Sequence, residues 1–147
     1  MNTPISALLE RKASALFVTH PSASVADAVR EMNRHRVGSL LVLDGGRTVG
    51  IFTERDVLRR VVGAALDPQR TRVAKVMTER VFTIAPGTTV EEAMILFAEK
   101  GCRHLPVIDG ERCCGMISIG DISRWVAELH QAEAEQLKSY IAGGYGA

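Results

Sequence analysis

Residues 50–56 read Gly-Ile-Phe-Thr-Glu-Arg-Asp, and residues 115–121 read Gly-Met-Ile-Ser-Ile-Gly-Asp. Both stretches follow one pattern, in which a glycine precedes two apolar residues, a hydroxyl residue, two variable residues and an aspartate. A hydroxyl residue followed three positions later by a carboxylate is typical of the first turn of a helix. The apolar residues before it are typical of a buried strand. Each stretch therefore predicts a strand that leads into a helix.

The two stretches belong to a longer internal repeat with an offset of 65 positions. At that offset the chain aligns with itself without a gap from Phe17 to Val61, and Val42 with Val107 is one of many identical pairs. An internal repeat of this length predicts two copies of one structural unit. We expect each copy to fold as β-α-β-β-α.

Each copy carries its own start and turn signals. Ser24 and Thr89, each followed three residues later by a carboxylate, predict the N-termini of two helices. The glycines after Asp44 and Asp109 predict hairpin turns, because glycine adopts a positive φ without steric cost. The predicted strands are Leu16–Thr19, Ser39–Leu43 and Thr48–Phe52 in the first copy, and Val81–Ile84, His104–Ile108 and Cys113–Ile117 in the second.

A short helical lead precedes each copy, namely Ile5–Leu9 and Val73–Met77. The leads align only at a changed offset, because the first copy has a few extra residues before its strand. The chain is predicted to divide into residues 1–66 and 67–147. The predicted fold class is α/β, of the α+β kind. Two units related by pseudo-twofold symmetry are expected to pack through their small sheets around a cleft. An extended helix is expected at the C-terminus.

The hydroxyl and the aspartate of each motif have two interpretations. They can form an ordinary capping box, in which the two side chains satisfy backbone amides of the helix. They can also hold a ligand: the hydroxyl and the free amides at a helix N-terminus suit a phosphate, and the aspartate can accept two hydrogen bonds from a ribose diol. Two copies at equivalent places favour ligand binding.

The duplicated unit resembles a pair of CBS domains, also called a Bateman module. The resemblance rests on the two motifs, on the segment Cys102–Asp109, which reads Cys-Arg-His-Leu-Pro-Val-Ile-Asp, and on the lead Val73-x-x-Val76-Met77-Thr78. It covers about residues 5–141, and the chain is similar to small stand-alone bacterial proteins with two CBS domains. The resemblance implies a regulatory, non-catalytic module that binds adenosine-containing ligands.

Carried over residue by residue, the resemblance implies that Thr53 and Ser118 contact phosphate and that Asp56 and Asp121 hold the ribose. AMP is the first candidate ligand; ATP, ADP, NAD(H) and S-adenosylmethionine stay open. No catalytic cofactor is implied.

The basic residues predict two unequal sites. Arg55 is a suitable counter-charge for a phosphate, whereas the second copy has Gly120 at that place. Arg103 and His104 stand where the resemblance implies basic residues that reach into the shared cleft. We expect the site around Asp56 to prefer a charged phosphate chain. The adenine is expected among apolar groups of one copy, either Val18, Val37 and Ile51 or Ile84, Cys102 and Met116. The strand glycines Gly50 and Gly115 would let the ring lie against the backbone.

Composition and motifs argue against other classes. The net charge of +1 gives no general electrostatic reason for binding nucleic acid or an anionic membrane. No apolar run approaches the roughly 20 residues of a membrane span, and no secretory signal begins the sequence, so a cytoplasmic location is expected. The three cysteines and four histidines lack metal-ligand spacing. Without a P-loop or a nucleophile elbow, no enzyme is predicted.

Three alternatives concern partners. A protein-interaction or redox adaptor with vestigial nucleotide sites stays open because Cys102 falls within the expected pocket. DNA binding through Arg55, Arg59 and Arg60 is less favoured than a solvated helix face. The last helix, predicted over Gly120–Ile141, carries apolar residues in its distal half, so we expect a homodimer through that half. The downstream protein partner is unknown.

Overall fold

The computed structural model describes residues 2–12 and 16–144. Its helices are α1 (Ile5–Arg11), α2 (Val25–His35), α3 (Glu54–Asp56), α4 (Val73–Val76), α5 (Val90–Lys100) and α6 (Ile119–Ser139). Helix α3 continues as a π-helix over Val57–Val62, and α6 continues as a π-helical turn over Tyr140–Gly144. The strands are β1 (Val18–Thr19), β2 (Ser39–Asp44), β3 (Arg47–Thr53), β4 (His104–Asp109) and β5 (Arg112–Ser118).

The order of elements repeats, as the internal alignment predicts. Strands β2 and β3 form one antiparallel hairpin, and β4 and β5 form the other, with a register irregularity at the same place in both. Gly45 and Gly110 have φ values of 59° and 64° in the two turns, which confirms the predicted hairpins. The mixed α/β fold, with two small sheets and a long last helix, is the predicted one.

The first strand of each copy is shorter than predicted. In the first copy β1 is parallel to β2 and keeps two of the four predicted residues. In the second copy the predicted strand Val81–Ile84 is wrong, because only Ile84 forms a bridge, with Val107. Leu41 donates its amide to the Phe17 carbonyl at 3.1 Å, but its counterpart, Pro106, has no N–H to donate.

Each of the four helices with a predicted cap begins directly after the hydroxyl residue that predicts it. The Ser24 and Thr89 side chains accept hydrogen bonds from the amides three residues on, at 3.1 Å each. Thr53 and Ser118 do the same for α3 and α6. These contacts satisfy amides that a helix N-terminus otherwise leaves without partners.

The leads are exchanged between the two copies. Helix α1 buries Ile5 and Leu8 in the core of the second copy, and α4 buries Val73 and Val76 in the core of the first. Backbone hydrogen bonds fix both exchanges, for example from the Ile5 amide to the Thr88 carbonyl at 2.8 Å. The division of the chain between residues 66 and 67 stays a prediction. Because each lead is buried in the core of the other copy, the two parts do not have separate cores.

Helix α6 has 21 residues and begins one residue before its predicted start. Ile122 is buried against the second core, and Trp125 and Val126 pack on it. From Leu129 to Ala142 the residues are exposed. The distal half of α6 therefore makes little contact with its own copy.

Candidate functional site

Each motif forms a capping box at the junction of a strand and a helix. The Thr53 amide donates to Asp56 Oδ2 at 3.0 Å, and the Asp56 amide donates to Thr53 Oγ1 at 3.2 Å. Ser118 and Asp121 repeat this arrangement, with distances of 2.9 and 3.1 Å. The capping interpretation of the motif is confirmed.

Two cavities lie beside the two aspartates, and we name them the Asp56 cavity and the Asp121 cavity. The Asp56 cavity has a volume of about 200 Å³, and the Asp121 cavity about 600 Å³. Each is built from both copies: the motif of one copy faces the loop before the first hairpin strand of the other. His104 lines both cavities.

The structure brings most of the predicted site residues to these cavities. The predicted residues that line the Asp56 cavity are Ile51, Thr53, Arg55, Asp56, Cys102, Arg103 and His104. Those that line the Asp121 cavity are Val37, His104, Gly115, Met116, Ser118 and Asp121. Each cavity combines residues of both copies. Val37 therefore lines a different cavity from Ile51, and Cys102 lines a different cavity from Met116, although the sequence analysis placed each pair in one pocket.

Three predicted pocket residues, Val18, Gly50 and Ile84, line neither of these cavities. Val18 lies on the short strand β1, and Ile84 is buried in the second core. A Cβ on Gly50 would lie 2.8 Å from the Thr78 carbonyl oxygen. The missing side chain of Gly50 thus makes room for the second lead, and its part in a ligand pocket stays a prediction.

Asp56 is buried, its hydrogen bonds come from neutral donors, and one arginine lies farther away. Thr78 Oγ1 donates to Asp56 Oδ1 at 3.0 Å, and Thr53 Oγ1 donates to Asp56 Oδ2 at 3.2 Å. Arg60 Nε lies 3.8 Å from Asp56 Oδ1. Arg55, the predicted phosphate counter-charge, donates to the Gly101 carbonyl at 3.0 Å and so links the two copies at the cavity wall.

Asp121 is held by two cations. Lys12 Nζ donates to Asp121 Oδ2 at 2.8 Å, and Arg124 Nη2 donates to Asp121 Oδ1 at 2.5 Å. Burial alone would raise the pKa of Asp121, but the hydrogen bonds from Lys12 and from the Ser118 amide and side chain outweigh burial and lower it. Asp121 is therefore an ionised carboxylate at neutral pH.

Sequence reasoning missed several residues of the Asp121 cavity. Arg124 could have been found, since it lies one turn after Asp121 on the same helix. Lys12 and Arg36 could not, because the exchanged lead and the opposite copy bring them there. Arg36 ends α2 with φ of 55°, in the left-handed region where the second copy has Gly101. The rings of Phe17 and His35 stack at 3.9 Å in the cavity wall.

Burial sets the protonation of two further cavity groups. Burial lowers the pKa of His104 and outweighs the nearby carboxylate of Glu54, so the imidazole is neutral at pH 7. Burial raises the pKa of the Cys102 thiol more than Arg55 and a backbone hydrogen bond lower it. A thiol with a raised pKa is a poor nucleophile at neutral pH.

Residues 2–12 and 16–144, the part of the chain that the structure describes, contain no group of three or more His, Cys, Asp or Glu side chains placed to hold a metal ion. They also contain no helix with the length and hydropathy of a membrane span.

Comparison with known proteins identifies the fold family. The CBS domain family model matches residues 5–63 and 73–128. The mitochondrial CBS domain-containing protein CBSX3 of Arabidopsis thaliana is 41% identical over 127 residues, which span 83% of this chain and 62% of that protein.

Solved structures agree with the family model. A CBS-domain-containing protein from Agrobacterium tumefaciens is 32% identical, with a TM-score of 0.78 over 83% of this chain and 98% of that one. A hexameric CBS-CP12 protein from bloom-forming cyanobacteria is 26% identical, with a TM-score of 0.76 over 98% of this chain and 85% of that one. The chain therefore belongs to the CBS-domain family and carries two copies of the domain.

Proposed function

We propose that the chain is a regulatory, non-catalytic module that binds an adenine nucleotide in the clefts between its two CBS domains. The observation that carries the proposal is the composition of the two cavities. Each combines a hydroxyl and an aspartate at a helix N-terminus with a surplus of basic side chains. AMP is the first ligand to test, followed by ADP, ATP, NAD(H) and S-adenosylmethionine.

Charge supports an anionic ligand. Although the whole chain has a net charge of +1, basic side chains concentrate at both cavities. Those of the Asp56 cavity are Arg55, Arg80, Lys100 and Arg103, and those of the Asp121 cavity are Lys12, Arg36 and Arg124. In each cavity the arginines and lysines exceed the carboxylates by two. A cleft with one sign of charge concentrates ligands of the other sign.

The predicted roles fit this arrangement. The aspartate would accept hydrogen bonds from the two ribose hydroxyls, and Thr53 or Ser118 would turn its hydroxyl towards a phosphate. Arg55 and Arg103 are the phosphate counter-charges of the Asp56 cavity, and neutral His104 adds a hydrogen-bonding group between the two cavities. The preference of the Asp56 site for a charged phosphate chain stays a prediction, since the surplus of charge is equal in the two cavities.

The experiment is thermal unfolding with each nucleotide on the wild type, Asp56→Ala and Asp121→Ala. A ligand at about 100 times its Kd adds roughly 2.7 kcal/mol of stability to the folded protein. Because either substitution also removes a helix cap, the measured quantity is the ligand-induced shift of each variant. Asp27→Ala is the matched control, since Asp27 lies in the first turn of α2, outside both cavities.

We expect at least one nucleotide to raise the unfolding temperature, and one or both aspartate variants, but not Asp27→Ala, to reduce that shift. The absence of a shift with every nucleotide, on folded protein freed of co-purified ligand, would leave the aspartates as helix caps alone. The adaptor alternative would then be preferred, although the raised pKa values of Cys102 and Cys113 weigh against its redox form. The predicted cytoplasmic location remains a prediction.

We further propose a homodimer through the distal half of α6. Leu137 in that half is 60% exposed, and Ile141 in the π-helical turn that follows is 56% exposed. Exposed apolar residues that line up on a long helix favour self-association. The assembly of the hexameric CBS-CP12 protein gives a precedent within the family. Sedimentation should find Leu137→Glu more monomeric than the wild type, and Gln131→Glu unchanged.

A further inference from the structure

The two leads end beside the motif aspartates in different ways. After the four-residue helix α4, the chain becomes extended, and Thr78 forms a bridge with Ile51 of β3. The Thr78 amide donates to the Ile51 carbonyl at 2.9 Å, and the Thr78 hydroxyl donates to Asp56 at 3.0 Å. The second lead therefore meets the first motif with two neutral donors.

The first lead meets the second motif with an ammonium group. Helix α1 has seven residues, three more than α4, and this extra turn brings Lys12 to the motif. Lys12 Nζ donates to the Met116 carbonyl at 2.9 Å and to Asp121 Oδ2 at 2.8 Å. Met116 is the counterpart of Ile51 in the internal repeat. One ammonium thus contacts both the counterpart carbonyl and the motif aspartate, but on Oδ2, the oxygen that also accepts the Ser118 amide, whereas Thr78 donates to Oδ1 of Asp56.

This replacement changes the availability of the aspartate. Both oxygens of Asp121 are paired with a cation, Lys12 on Oδ2 and Arg124 on Oδ1. The Lys12 and Asp121 side chains are 28% and 8% exposed, whereas Arg124 is 70% exposed. Exposed ion pairs contribute little, whereas separating the members of a less exposed pair leaves a poorly solvated charge without its partner, which is costly. A ribose diol that donates to both oxygens therefore meets its main competition from Lys12.

We propose that Lys12 is an intramolecular competitor of the ribose at Asp121, and that ligand binding there releases the last turn of α1. The inference rests on the proposed function of the Asp121 cavity. Backbone bonds from Ile5 and Ser6 to the Thr88 and Pro86 carbonyls hold the first turn of α1. Lys12 holds the last turn, so occupancy of the cavity is transmitted to that turn. At Asp56 the lead contributes the neutral Thr78 donor instead, and the cation beside that aspartate, Arg60, lies 3.8 Å from Oδ1 with a side chain that is 52% exposed.

The probe is adenosine, because it carries the ribose diol without a phosphate that Lys12 could bind instead. Titration calorimetry in the Asp56→Ala background reports on the Asp121 cavity. Lys12→Met keeps the length of the side chain and removes the ammonium. Arg11→Met is the matched control, since Arg11 is the neighbouring cation of α1 and pairs with exposed Glu128 at 2.7 Å.

Loss of a half-buried competitor should lower the Kd of adenosine by about fivefold to tenfold in Lys12→Met, and Arg11→Met should leave the Kd within twofold. Hydrogen exchange supplies a second readout. Adenosine should speed exchange of the amides of residues 9–12 in the Asp56→Ala protein, and should not change it further once Lys12 is also methionine.

The outcomes separate the two proposals. If adenosine and the nucleotides bind neither the wild type nor the Asp56→Ala protein, the proposed function itself fails. If adenosine binds the Asp56→Ala protein but Lys12→Met leaves its Kd unchanged or raises it, Lys12 is not a competitor, while the nucleotide site stands. A lower Kd without the change in exchange would overturn the release of α1.

Discussion

Asp121 combines a buried carboxylate with three hydrogen-bond donors, of which two are charged. Its side chain is 8% exposed, and it accepts hydrogen bonds from Lys12, Arg124 and the Ser118 amide. Burial disfavours the charged carboxylate, but these donors favour it more strongly, so the pKa is lower in the folded than in the unfolded chain. Stability and protonation are therefore linked at this residue.

The link predicts a pH-dependent effect of Asp121→Asn. A carboxyl with a lowered folded pKa stabilises the protein above its unfolded pKa of about 3.9 and loses that stabilisation as the pH falls towards the folded pKa. We expect the variant to lose about 1–3 kcal/mol of unfolding free energy at pH 7. Urea unfolding at decreasing pH should show this difference shrinking below about pH 4.

Asp109→Asn is the control for this measurement, since Asp109 is exposed at a hairpin turn. We expect it to change the unfolding free energy little at any pH. A loss in Asp121→Asn that stays the same at pH 7 and pH 3 would mean that capping geometry, not charge, stabilises this site.

The sequence predicts the contact partners of some residues and not of others. The partners of Thr53 and Ser118 lie three residues away, so local spacing was sufficient to predict the caps. Lys12 reaches Asp121 across 109 positions, and only the exchange of the leads brings the two together. Arg36 lines the Asp121 cavity from the opposite copy, which local spacing does not encode.

At the scale of elements, each lead packs across the glycine of the opposite motif. A Cβ on Gly50 would lie 2.8 Å from the Thr78 carbonyl oxygen, a backbone atom that is held by the Ile51 amide. A Cβ on Gly115 would lie 2.9 Å from Leu9 Cδ2, the end of a flexible side chain. The two equivalent glycines are therefore under different constraints.

This difference predicts unequal costs for the same substitution. Gly50→Ala should lower the unfolding free energy by about 1–3 kcal/mol, because the second lead must move away from β3. Gly115→Ala should cost less than about 1 kcal/mol, because Leu9 can change its rotamer. Urea unfolding of the two variants compares them directly, and a greater loss for Gly115→Ala would contradict the argument.

Elements were predicted well wherever their signals were local. Caps, hairpin glycines and apolar periodicity are properties of a few neighbouring residues, and the helices and hairpins that they predicted are present. The strand Val81–Ile84 failed because its pairing depends on a residue of β4, Pro106, that cannot donate a hydrogen bond. That proline was visible in the sequence, but its partner was known only once the strands were aligned.

At the scale of the whole molecule, the exchange of leads joins the two copies. The first core is completed by Val73, Val76 and Met77, and the second core by Ile5 and Leu8. Neither copy, cut at the join of the repeats, keeps its full core. The repeat signal could not predict this, because a lead has the same position in the sequence whichever copy it packs against.

The exchange predicts that core substitutions in a lead weaken the distant copy. Ile5 and Val73 are fully buried, and truncation of a buried isoleucine to alanine costs about 2–5 kcal/mol. Ile5→Ala should speed hydrogen exchange in β4 and β5, which lie about 100 positions away. Val73→Ala removes less volume and should act on β2 and β3, which precede it in the chain.

Native-state hydrogen exchange resolves the two copies, because local openings report the stability of each part. Ile95→Ala is the control, since Ile95 is 51% exposed on α5 and its loss should leave both hairpins protected. Faster exchange of β2 and β3 alone in Ile5→Ala would mean that α1 packs against its own copy. Lys12 would then lose its place beside Asp121, so this measurement also tests the geometry on which the coupling of α1 to the Asp121 cavity depends.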